Sequence, residues 1–140
     1  MELTLEEKKA RIANFRPIDD VFFEVLAENI EVCQEILQTI IGDKDLVVLQ
    51  SVVQKDLMNL YGRSVRLDAL CTLGDGKKVN IEVQRSDDDD HLRRVRFNSA
   101  SITVRDSYTG EKFSDVEDLI IVFISERDFI GEGKTMLLHV

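Results

Sequence analysis

Asp68 and Glu82 are two acids whose spacing could let them work together on one ligand. Asp68 lies in the stretch from Ser64 to Leu73. There Val65, Leu67, Ala69, Cys71 and Leu73 alternate with Arg66, Asp68, Leu70 and Thr72, the period-two pattern of a strand. Glu82 lies in the stretch from Lys78 to Gln84, where Val79, Ile81 and Val83 alternate with Asn80, Glu82 and Gln84. An even loop between two such strands would set the apolar face of one against the polar face of the other. The three-residue loop Gly74-Asp75-Gly76, with Gly76 left-handed as a bulge, keeps the apolar faces together. In that register Asp68 sits opposite Glu82 at about 5 Å between Cβ atoms. Gln84 follows roughly 7 Å further along the same face. Two facing carboxylates repel unless a positive charge lies between them. A hard divalent cation suits such a pair, with water and a phosphate completing its shell. Acids also stand routinely on the solvated face of a strand, and the pair alone does not separate the two readings.

The elements around this hairpin are legible in outline. A charged segment over residues 1–18 reads as an N-terminal arm or helix, set off by Pro17, the only proline. Val21, Phe22, Val25 and Leu26 recur at helical spacing from Asp19 to Ala27, with Asp19 or Asp20 as N-cap. A second helix is expected from Ile30 to Ile41, turning Ile30, Cys33, Leu37, Ile40 and Ile41 inward and stopping at Gly42. Leu46 to Gln54 is valine-rich and reads as a strand. After the hairpin, Asp90 caps a helix running to about Arg105, with Leu92, Val95, Phe97, Ala100, Ile102 and Val104 on its apolar side. Leu119 to Ile124 is a continuous apolar run, the pattern of a strand buried on both faces. Met136 to Val140 looks like a further strand that ends without a turn signal, so continuation beyond Val140 is expected. Together these give an α/β domain over 19–140, a mixed central sheet flanked by helices.

Composition narrows the class. The 140 residues, 44% of them apolar, make one domain with one moderate core. The longest apolar run is too short to cross a bilayer, and the N-terminus has no apolar signal region. Cys33 and Cys71 read as small buried hydrophobes, and two histidines give no zinc spacing. A cytoplasmic location is expected. The net charge of −9 argues against adhesion to nucleic acid through bulk charge. It leaves open a local basic groove, because binding depends on the surface that meets the phosphates.

Asp68, thirteen intervening residues and then Glu82-Val83-Gln84 resemble the signature of the PD-(D/E)XK nuclease superfamily. The order of helix, three strands, helix and strand resembles its restriction-endonuclease-like core. More closely, five segments in order resemble the recombination-promoting nuclease, or transposase, family. They are Asp19 to Phe23, Gly62 to Asp68, Asn80 to Arg85, Arg94 to Phe97 and Ile124 to Phe129.

The resemblance implies Mg²⁺- or Mn²⁺-dependent cleavage of DNA, linked to recombination or transposition, with Asp68 and Glu82 as metal ligands and Gln84 catalytic. Gln84 stands where most of the superfamily has lysine, although glutamine is the usual form in the nearer family. An amide can orient water or a phosphate oxygen but adds no charge. Asp20 and Glu24 lie on the first helix, from which superfamily members often supply an accessory acid; each also reads as an exposed helix residue. Arg94 and Arg96, with Arg93 and Arg105, put positive charge on the helix after the signature, where Arg94 and Arg96 are candidate phosphate contacts. A solvated face is the other reading. Asp75 is turn chemistry, and the run Asp87 to Asp90 is a solvated loop. DNA is the implied partner, and a homodimer stays open. The alternative function is a nuclease fold without catalysis that binds nucleic acid or protein; a third is an acidic structural domain.

Overall fold

A computed structural model describes residues 3–14, 20–58, 64–84, 91–126, 128, 131 and 133, and within them it does not describe the side chains of residues 12, 20–22, 54–58 and 64–66. Pro17, Asp19, Gly62, the acidic run with Asp90, and the expected strand at Met136 to Val140 lie outside the described residues.

Helix α1 (Leu5–Ala13) opens on a capping box. Thr4 Oγ1 accepts the Glu7 N–H at 3.3 Å, and the Glu7 carboxylate accepts the Thr4 N–H at 2.8 Å, satisfying donors that a helix start leaves open. Helix α2 (Asp20–Ala27) is followed by α3 (Ile30–Ile41). Asn29 caps α3 through its side-chain oxygen, and Gly42 ends it at φ +78°, a conformation that suits glycine. Two glutamines of α3 then hold the next strand: Gln38 Nε2 donates to Leu46 O at 2.9 Å, and Val48 N–H donates to Gln34 Oε1 at 3.0 Å.

The sheet has four strands in the order β1-β2-β3-β4: β1 (Val48–Met58), β2 (Ser64–Leu73), β3 (Lys78–Gln84) and β4 (Leu119–Ser125). The first three pair antiparallel. β4 runs parallel to β3, a geometry that needs a crossover, and α4 (His91–Asp106) supplies it. One core joins Phe23, Ala27, Cys33 and Leu37 from the helices to Ala69, Cys71, Val79, Ile81 and Val83 from the strands. A smaller one joins Leu67 and Leu70 to Ile102 of α4, with Phe97, Leu119 and Ile121 against it. The sheet thus lies between α2 and α3 on one face and α4 on the other: a mixed α/β fold of the restriction-endonuclease-like kind. Among the described residues no helix is long and apolar enough to cross a membrane.

Several local expectations are corrected. Among the described side chains of α2, Phe23 and Ala27 are buried, while Val25 is exposed. β1 starts later and runs on to Met58, because its second half pairs with β2 as far as Met58–Ser64, a long-range contact. On α4, Leu92, Ala100 and Val104 face solvent, whereas His91, Asn98 and Ile102 are buried. That helix turns a partly polar line inward. β4 is half-buried except for Val122, since it stands at the edge of the sheet among the described residues. Leu67 groups with Leu70 instead of Ala69, where β2 leaves its pairing with β3.

Candidate metal centre

The β2–β3 hairpin has the register that its loop demands. Leu73 N–H donates to Lys77 O at 2.9 Å, Gly76 N–H donates to Leu73 O at 3.0 Å, and Gly76 takes φ +91°. Pairs run from Thr72–Lys78 to Ala69–Ile81, so the next position sets Asp68 against Glu82. There the ladder gives way to a side chain. Asp68 Oδ2 accepts the Val83 N–H at 2.8 Å, which ties the carboxylate to the β3 backbone and fixes its direction.

Glu82 is 1% exposed, which removes the reading of it as a solvated surface acid. Its Oε1 accepts two amide donors, Asn80 Nδ2 at 2.7 Å and Asn98 Nδ2 at 3.1 Å. Its Oε2 is buried and has no hydrogen-bond partner among the described residues. The Glu82 carboxyl is pushed up to about 7, first by burial and then by the Asp68 charge, against the opposing Asn80 donor and the Arg94 charge. A buried carboxylate oxygen without a donor is costly, and a second acid beside it adds repulsion. A divalent cation would relieve both, and two carboxylates suit one that otherwise keeps water or phosphate. The donor set fits.

Position 84 is occupied from the helix side as well. Arg94 Nη1 donates to Gln84 Oε1 at 3.2 Å, so the half-buried Arg94 turns toward the site. Arg93, Arg96 and Arg105 are exposed on α4. Glu24 is partly exposed on α2 and joins no group of three potential metal ligands; among the described residues there is no such group. The Asp20 side chain lies outside the described residues.

Sequence reasoning passed over Asn80 and Asn98. Asn80 was visible on the face of Glu82, two positions before it. Asn98 follows Arg94 by four residues and His91 by seven, the spacing of one helix side. No apolar stripe marked that side as the inner one.

A mixed sheet between helix layers is consistent with the PD-(D/E)XK nuclease fold. The family model for PD-(D/E)XK nuclease family transposases matches residues 18–140, and the chain belongs to that family. No curated protein and no solved structure matches it.

Proposed function

We propose that this protein is a metal-dependent DNA endonuclease that hydrolyses phosphodiester bonds, acting in DNA recombination or transposition. The supporting observation is the buried Glu82 carboxylate, with one oxygen lacking a donor among the described residues, beside Asp68. Asp68 and Glu82 would hold Mg²⁺ or Mn²⁺. Such an ion supplies an activated water and neutralises charge on the phosphoryl oxygens.

The chain's own residues do the rest. The Val83 N–H holds Asp68 in place, and the two asparagine amides hold Glu82. Gln84 lacks the charge that lysine brings to this position in most of the superfamily. Its Oε1 holds the Arg94 guanidinium, so positive charge reaches the site from α4 instead of from β3. Arg94 can then meet a phosphate oxygen with a charge-assisted hydrogen bond. Gln84 can offer water or phosphate its Nε2–H donors.

Calorimetry with Mn²⁺ on the wild type and Asp68→Ala tests the metal step. The wild type should show one site that the variant loses, and equal binding by both would reject it. A second reading, a nucleic-acid-binding module that does not cut, is favoured by the neutral Gln84. DNA binding in Ca²⁺ with no cleavage in Mg²⁺ would select it.

A further inference from the structure

We infer that Asn80 and Asn98 are positioning residues that restrict Glu82 to one available oxygen, making the site select small, water-retaining cations over larger ones. The inference rests on the metal reading above and concerns which ion that site admits. A carboxylate oxygen has two lone-pair sites. Glu82 Oε1 meets two donors, at 2.7 Å from Asn80 and 3.1 Å from Asn98, and is saturated. Both asparagines are buried, at 0% and 3% exposure, and they come from different elements, β3 and α4. The clamp is therefore fixed from two directions.

What remains at Glu82 is Oε2. Asn80 Oδ1, in the same cluster, is also buried without a hydrogen-bond partner among the described residues. It is an acceptor, and a water O–H is its natural complement. A cation that takes both oxygens of Glu82 must displace buried amide donors from Oε1. Ca²⁺ commonly binds carboxylates through both oxygens within a shell of six to eight, whereas Mg²⁺ keeps several waters and takes one or two carboxylates. The clamp thus penalises Ca²⁺ and leaves Mg²⁺ or Mn²⁺ unhindered.

The test compares calorimetric affinities for Mg²⁺ and Ca²⁺ in the wild type and Asn98→Leu. The substitution removes one donor from Oε1 at similar volume. Loss of a residue that orients a metal ligand typically lowers affinity about tenfold or more. Mg²⁺ binding should fall by about that factor while Ca²⁺ binding holds or rises, so the Mg²⁺ to Ca²⁺ ratio drops. A change confined to folding would lower both alike, and equal falls would overturn the inference. If Asn98→Leu does not fold, wild-type side-chain amide exchange decides. The Asn80 and Asn98 amide protons should stay protected with Mg²⁺ present, and exchange as fast as surface amides would overturn the inference. No binding of either ion to the wild type would reject the metal reading itself, and the inference with it.

Discussion

Glu82→Gln should stabilise the metal-free protein at neutral and alkaline pH. Glutamine has nearly the same shape, and its carbonyl oxygen can still accept from Asn80 and Asn98. It carries no charge to desolvate and presents an amide where Glu82 has an oxygen without a donor among the described residues. Burial and the Asp68 charge raise the Glu82 carboxyl from an ordinary 4.5 to about 7. Between those values the folded protein holds a proton that the unfolded chain has lost. Stability therefore falls as pH rises through that window and is level on either side. At about 1.4 kcal/mol per pH unit, the loss is roughly 3 kcal/mol once pH passes 7. Urea unfolding in EDTA at pH 5 and pH 8, on wild type and variant, measures it. Other titrating groups largely cancel between the two proteins, so the variant should gain about 2 to 3 kcal/mol relative to wild type from pH 5 to pH 8. Parallel stabilities at the two pH values would refute the burial and repulsion argument. Saturating Mg²⁺ should stabilise the wild type at pH 8 and leave the variant nearly unmoved, because under the proposed metal site the ion would bind only the folded wild type.

Arg94→Ala should weaken DNA binding and lower the slope of log affinity against log salt by about one; an unchanged slope would return Arg94 to an ordinary surface charge. Gln84→Ala should slow single-turnover cleavage by about a hundredfold with metal affinity nearly intact, whereas equal rates would make Gln84 a bystander. Gln84→Lys should cut at least as fast as wild type if position 84 is short of charge, and slower cutting would show that Arg94 already fills that need. Leu37→Ala, at a fully buried position of the main core, should cost about 2 to 5 kcal/mol in urea unfolding without changing Mn²⁺ affinity.

The hairpin was legible because its constraints are local. Loop parity, two alternating strands and a glycine at the third loop position leave one register that keeps Val79 and Ile81 with Ala69 and Cys71, and that register also places Asp68 against Glu82. The bounds of helix α3 were legible for the same reason, with Gly42 marking its end, although Ile30, expected inward, is exposed at its first position. What stayed hidden depends on contacts distant in sequence. β1 runs past Gln54 because β2 continues to pair with it beyond the point where β3 stops. The inner side of α4 carries Arg94 and Asn98 toward the acids, so a search for an apolar stripe turned Leu92 and Val104 inward instead. On α2, the described side chains that pack against the sheet are Phe23 and Ala27, while Val25, expected inward, is exposed. The burial of Glu82 was equally hidden, since it depends on α4 lying over that face of β3.

Plasmid nicking in Mg²⁺ by the wild type and Asp68→Ala, with EDTA as control, tests the central claim most directly. Asp68 is tied to the Val83 N–H and its charge acts on the Glu82 carboxyl, whose Oε2 has no hydrogen-bond partner among the described residues. The account predicts nicking by the wild type that EDTA abolishes and that Asp68→Ala has lost while still folded. Nicking that survives either EDTA or Asp68→Ala would contradict it.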